Sequence, residues 1–417
     1  MTSCAELADI EWLTGTEAGA ILSELAESTA PLHTTAARLR TLFSPAKTHL
    51  LLEQVELRRR ATAKFAHPER MFFTRLGLEQ STDEWVAAYK AARFTPQRTG
   101  SFPTPTAPPK IADLCCGVGG DLMAFANHHT AIGIDRDPIA AHLAAINANA
   151  KVLLADVTEF DLDAFDAWHI DPDRRPSGHR TTSLEWCEPN LATIESLLTR
   201  LPTAALKLAP AAKLPAHLAE RCELEWISRD RECKQLVAWH GRLAHTPGQH
   251  RATILSFTQQ ESNLDACGLA SEITFGSSSR TITGSPNHPV TIASAPNRYI
   301  FDTDPAVTAA HLNGTLAAEH NLSALGAGAT YLTGPSAIAD AALACFEVQD
   351  VLPLRTADLA RHLRAKSIGQ LEIKKRGVEI DPEKLRRDLK LRGTNAATLL
   401  ITKIATRPTA ILAKRTT

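Results

Sequence analysis

Three carboxylates recur at regular intervals in the first half of the chain. Asp113, Asp135 and Asp156 each close a short apolar run, KIAD, AIGID and KVLLAD. Between the first two lies CCGVGG, with glycines at 117, 119 and 120. Backbone can approach a ligand closely only where no Cβ intervenes, and a helix opening after such a turn points unsatisfied N–H groups at whatever lies there. An acid about 20 residues past such a turn can grip a ribose diol through two charge-assisted hydrogen bonds. Asp135, 22 positions after Asp113, stands at that distance. Asp156 and Val157 suit an adenine ring, the carboxylate accepting from its exocyclic amine and the amide donating to a ring nitrogen. Singly, each acid also reads as a helix N-cap or a solvated strand end; in succession they point to a nucleotide-like ligand.

The glycine spacing separates two cofactor classes. A dinucleotide turn requires G-x-G-x-x-G. Gly117 and Gly119 fill its first two positions, but the third falls on Leu122. Asp113, four residues before Gly117, fits instead the cationic amino end of S-adenosylmethionine, with Cys115 in the wall of the turn. A fourth acid, Asp171, opens the run DPDRRPSGHR after the apolar stretch 166–171. Ligand crevices of open α/β sheets lie beyond the carboxyl ends of the strands, so this loop is expected to face the donor methyl group. Asp171, Pro172 and Asp173 are the candidate catalytic residues. Arg174 and Arg175 can grip phosphate or stack through their guanidinium planes at RNA, or they can pair with Asp171 and Asp173 in a structural cluster.

These side chains need a doubly wound frame. Alternating helical and apolar segments supply it: helices at 121–129, 138–150, 183–201 and 211–221, a strand that opens the run 110–121 and turns into the first of these helices, and strands at 131–135, 151–156, 166–171 and 204–209. A hairpin of 223–228 and 233–240 follows, giving a seven-stranded sheet. Residues 1–95 read as a helical N-terminal domain, with periodic segments at 16–27, 34–43 and 45–65. Residues 96–110, rich in proline, read as a linker. The sheet domain spans 111–258, a small α/β connector 259–345 with one helix at 305–320, and a basic module 346–417. In that module helices are expected at 358–366 and 381–390, and strands at 370–378 and 397–404.

The chain has 417 residues, 44% hydrophobic and 22% charged, with a net charge of −1. That near neutrality conceals a polarity: residues 355–417 hold sixteen Lys and Arg against six Asp and Glu. Such a surface suits a phosphate backbone, since each neutralised phosphate releases counterions, and Lys374, Lys375 and Arg376 are candidate substrate contacts. Alternatively the module is merely a soluble basic domain. Eight scattered cysteines without a C-x-x-C pair give no metal site, and reduced buried thiols are expected. With no long apolar run and no basic-then-apolar leader, no membrane association and a cytoplasmic location are expected.

DLCCGVGG resembles the first motif of class I methyltransferases, above all the D-x-F-C-G-x-G-G variant frequent among RNA-methylating enzymes, with Cys115 in place of the aromatic. DPDRR matches the acid and first proline of their fourth motif. It departs from the pattern at Asp173, which replaces a second proline, and at Arg174, which replaces the aromatic that stacks on a flipped base. Together with KFAHPERMFFTRLGLEQ, LKLAP and IGQLEIKKRG, these motifs resemble bacterial class I methyltransferases with a C-terminal THUMP-like domain, over almost the whole chain. The resemblance implies a Rossmann-like fold, S-adenosylmethionine as cofactor, and methyl transfer to a base in structured RNA such as tRNA or rRNA. A protein or small-molecule acceptor, or an RNA-binding protein whose methyltransferase fold has lost its chemistry, remain the alternatives.

Overall fold

The computed structural model describes residues 4–28, 30–95, 107–175, 181–257, 277–328 and 330–416. The expected linker falls mostly outside the described residues, as do the end of the DPDRRPSGHR loop and the start of the expected connector. The chain divides into two compact units, residues 1–222 with 237–245, and residues 223–236 with 246–417.

The first unit opens with six helices, α1 (Cys4–Leu13), α2 (Thr16–Glu27), α3 (Leu32–Leu42), α4 (Pro45–Ala61), α5 (Arg75–Gln80) and α6 (Glu84–Phe94). Their starts are chemically marked: Ser44 caps α4 with Pro45 at its first position, Thr74 caps α5, and Asp83 accepts from the amides of Trp85 and Val86 to cap α6. Leu22, Leu39, Leu51, Leu57, Phe65 and Phe73 form a core that also takes in Val118 and Leu143 from the following α/β layer. Asn147 joins the same two parts: its amide donates to the carbonyls of Phe72 and Val118, and its oxygen accepts from the Phe72 amide.

Then come β1 (Lys110–Leu114), α7 (Gly120–His128), β2 (Thr130–Asp135), α8 (Pro138–Ala148), β3 (Lys151–Leu154), β4 (Ala167–Ile170), α9 (Leu191–Arg200), β5 (Ala204–Leu208) and α10 (Ala216–Ala219). The strands lie in the order β3-β2-β1-β4-β5, all parallel. β4 and β5 are buried at every position, as strands covered on both faces must be. Two expected helices are shorter than their periodicity suggested. The 183–201 segment makes one 3-10 turn at Leu184–Trp186 and is α-helical only from Leu191, because Pro189 cannot continue a helix and Asn190 caps the one that follows. The 211–221 segment keeps a single turn after Pro215.

β6 (Cys222–Arg229) and β7 (Glu232–His240) are the expected hairpin. The last residues of β7 belong to the first unit and follow β5 in its sheet; the first residues of β7 belong to the second unit, beside β6. There β8 (His250–Phe257) pairs parallel with β6 and antiparallel with β9 (Ser277–Gly284). A seven-stranded sheet completes the second unit. Its elements are β10 (Tyr299–Thr303), α11 (Pro305–Ala309), α12 (Asn313–Glu319), β11 (Ser323–Ala324), β12 (Leu332–Gly334), β13 (Leu343–Pro353), α13 (Thr356–Ala365), β14 (Ile368–Lys375), α14 (Pro382–Leu389), β15 (Asn395–Ile404) and β16 (Arg407–Arg415). The strand order is β11-β12-β10-β13-β16-β15-β14. α13 and α14 cover one face through Leu359, Leu363, Leu385 and Leu389. The helix expected at 305–320 is broken at His311, which takes a φ of +57°. Among the described residues no helix is long and apolar enough to cross a membrane.

Candidate active site

The turn after β1 is built on left-handed backbone. Cys115, Gly117 and Gly119 have φ of 55°, 56° and 87°, a conformation in which a side chain is strained. A Cβ on Gly119 would also lie 3.1 Å from the Cα of Ala144, so this glycine lets α7 and α8 approach. Beside the turn opens a cavity of about 310 Å³ in the first unit. Asp113, Cys115, Gly117, Asp135, Asp156, Val157, Asp171, Pro172, Asp173 and Arg174 all line it. Of the residues expected in this part of the site, Gly119 and Arg175 do not; Gly119 packs instead, and Arg175 pairs with Glu79 at 2.5 Å.

Each carboxylate has a distinct setting. Asp135 accepts from the amide of Gly117 through one oxygen and from that of Asp137 through the other, both at 2.9 Å, and burial raises its pKa. It therefore holds the glycine turn and the start of α8 together. Asp156 is exposed and accepts from the amide and hydroxyl of Thr158, which lower its pKa. Asp173 pairs backbone to backbone with Glu188 and takes the side chain of Gln80 at 3.3 Å. Burial drives the Cys115 thiol well above its ordinary pKa, which keeps it protonated and poorly nucleophilic.

Beneath the cavity runs a buried chain of charge. Lys90 of α6 meets Asp121 at 2.6 Å and the His169 Nε2 at 3.3 Å, while the His169 Nδ1 lies 2.7 Å from Asp113. An ammonium can only donate, so Nε2 accepts from Lys90 and Nδ1 donates to Asp113. Burial raises the pKa of Asp113, with His169 countering. The second oxygen of Asp113 is buried with no hydrogen-bond partner, an orphan that a ligand donor can satisfy. Lys207 of β5 closes the chain, 2.5 Å from Asp171 and 3.8 Å from Asp121.

Three contributions were missed at the level of sequence. Thr74, Leu76, Gly77, Gln80, Ser81 and Thr82, from α5 and the residues around it, form a wall of the cavity. Lys207 carried a signal, since a lone lysine inside the apolar run AALKL is almost never buried unless paired. Arg136, which forms a two-pronged pair with Glu188, also lines the cavity. In the second unit Lys374 and Arg376 are committed to the buried carboxylate of Asp302, at 3.2 and 2.9 Å, and the Lys375 ammonium donates to the carbonyl of Ile380. Burial of a carboxylate demands such partners.

The donor set fits S-adenosylmethionine: a glycine turn open to the cavity, an orphaned carboxylate oxygen for a cationic amine, and acids at successive strand ends. Residues 343–415 match the family model described as THUMP domain-like. Two curated relatives are uncharacterized S-adenosylmethionine-dependent methyltransferases of Mycobacterium tuberculosis, from strains CDC 1551 and H37Rv. Each is 29% identical over 371 residues, covering 85% of this chain and 92% of the relative. The crystal structure of a candidate methyltransferase from Porphyromonas gingivalis W83 superposes with a TM-score of 0.69 at 18% identity, covering 100% of both chains. Motifs and relatives agree on an S-adenosylmethionine-dependent methyltransferase whose residues 343–415 form a THUMP domain-like region.

Proposed function

We propose that this enzyme methylates a base in structured RNA, tRNA or rRNA. The observation that carries the reading is the THUMP-like region, whose α14 and the residues after it expose Lys384, Arg386, Arg387, Lys390 and Arg392 on one short stretch. Such clustered cations suit a phosphate backbone, and this stretch replaces the Lys374–Arg376 run as the principal contact, because two of those three cations are spent on Asp302.

In this reading Asp113 holds the amino end of the cofactor, Asp135 the ribose diol, and Asp156 with Val157 the adenine. When bound, S-adenosylmethionine supplies an electrophilic methyl group on a sulfonium. Asp171, held at the strand end by Pro172, orients the lone pair of the acceptor nitrogen by accepting a hydrogen bond from it. Asp173 steadies the loop, and Arg174 and Arg175 approach the RNA backbone.

The test is transfer of labelled methyl from S-adenosylmethionine to total RNA purified from a strain lacking this protein. Label that survives protease and is released by nuclease supports the reading. Label found only in protein, or in small molecules, overturns it.

A further inference from the structure

We propose that Lys207 is a positioning residue of the transfer site: its ammonium fixes the Asp171 carboxylate and cancels its charge toward the sulfonium of the cofactor. This rests on Asp171 standing at the transfer site, as argued above, but not on RNA being the acceptor.

The geometry leaves Lys207 little freedom. It sits in β5, a strand buried at every position, and its side chain is 8% exposed. It donates to Asp171 Oδ2 at 2.5 Å and to the carbonyl of Gln80 at 3.2 Å, and its charge also lies 3.8 Å from Asp121 Oδ2. Asp171 is more open, with 24% of its side chain exposed and the cavity before it. Lys207 thus holds one oxygen of a carboxylate that still reaches the cavity.

Lys207 does not act as a base. Burial works against its charge, yet Asp171 and Asp121 more than offset burial and raise its pKa. Its remaining role is electrostatic. A bare carboxylate beside a sulfonium stabilises the cation before transfer more than the neutral thioether after it, so it favours the ground state and slows the reaction. Paired with Lys207, Asp171 keeps its hydrogen-bonding direction without that net attraction. Other charged or titratable groups around the pair are Asp121 of α7, Lys90 of α6, Arg174 and Cys187 beyond β4, and Cys115 of the glycine turn.

The test needs no acceptor. Calorimetry measures affinities for S-adenosylmethionine and for its neutral product S-adenosylhomocysteine in the wild type, Lys207→Met, Asp171→Asn and the double variant. The preference for the cationic ligand is expected to rise about tenfold in Lys207→Met and to fall about tenfold in Asp171→Asn, the scale of one charge at a few ångströms screened nearly as in water. The double variant returns to within about threefold of the wild type. Lys207→Arg keeps the wild-type preference. A purely structural lysine weakens both ligands alike and leaves the ratio unmoved, which overturns the proposal. If Lys207→Met does not fold, the Asp171→Asn and Lys207→Arg arms decide: an unchanged ratio in Asp171→Asn rejects it. A wild-type chain that binds neither ligand rejects the cofactor site itself, and this inference with it.

Discussion

Replacing Lys90 with Met removes a cation from a place with no solvent, and the expected cost can be worked from its neighbours. Lys90 is fully buried, 2.6 Å from Asp121. Breaking a buried pair by removing one partner costs about 3–5 kcal/mol, because the remaining charge is left uncompensated. Here the remaining charge is not bare: Asp121 keeps the Thr82 hydroxyl at 2.5 Å and Lys207 at 3.8 Å. The loss therefore belongs at the low end, about 3 kcal/mol at neutral pH. Burial alone pushes the Asp121 pKa up, but the ammonium groups of Lys90 and Lys207 more than reverse that and hold it well below the usual carboxylate range. A carboxylate with a depressed folded pKa contributes stability that is present above its unfolded pKa, about 3.9, and is lost as pH falls below it. The gap between wild type and Lys90→Met should thus be widest near pH 7 and shrink below about pH 4. Urea unfolding followed through tryptophan fluorescence, to which the wholly buried Trp168 on β4 contributes, measures it. Equal stabilities at pH 7, or a gap unchanged down to pH 3, would refute the reasoning.

Further outcomes follow from the cavity and from α14. Asp135→Ala should weaken S-adenosylmethionine binding by about 2–3 kcal/mol, the worth of hydrogen bonds to a charged group, with calorimetry as the check; unchanged affinity in a folded variant moves the ribose elsewhere. Asp171→Ala should lose methyl transfer by about a hundredfold. Wild-type turnover in a folded, cofactor-bound Asp171→Ala protein would shift suspicion to Asp173. Changing Lys384, Arg387 and Lys390 together to Gln should weaken binding of total tRNA and flatten its salt dependence by up to about three counterions. An unaltered salt slope would rule α14 out as the docking surface.

What the sequence made legible was local. The apolar runs that lead to Asp113, Asp135 and Asp156 are strands because period and turn chemistry act within a few residues; Asp113 lies inside β1, Asp135 ends β2, β3 stops at Leu154 short of the expected 156, and the three acids line one cavity. The limit of the 183–201 helix is also written in the chain, at Pro189, although the apolar periodicity runs on through it. β13 and β16 have no such local signal. LACFEVQDVLP and RPTAILAKR lack a clean alternation, and they become strands because neighbouring strands satisfy their backbones. The least legible part was the wall formed by residues 74–82. Nothing in RLGLEQST marks a ligand site; it acquires one only because Thr82 reaches Asp121 and the Gln80 carbonyl reaches Lys207, across 39 and 127 positions of sequence. The KKR run misled in the opposite sense, since a charge count does not reveal that Asp302 lies buried beneath it.

The side chain of Asn147 carries a consequence for how binding energy spreads through the first unit. By tying Phe72 to the carbonyl of Val118 it makes the glycine turn and the helical lead share one set of hydrogen bonds. A ligand that binds only the ordered turn stabilises every group whose opening would disorder that turn, by RT ln(1 + [L]/Kd). Amides in the interior of α4, which contribute none of the residues lining the cavity, should therefore exchange with solvent deuterium more slowly once S-adenosylmethionine is bound. The first 95 residues are in this sense a thermodynamic reservoir for the cofactor, one that relatives could enlarge or drain by substitutions remote from any ligand atom.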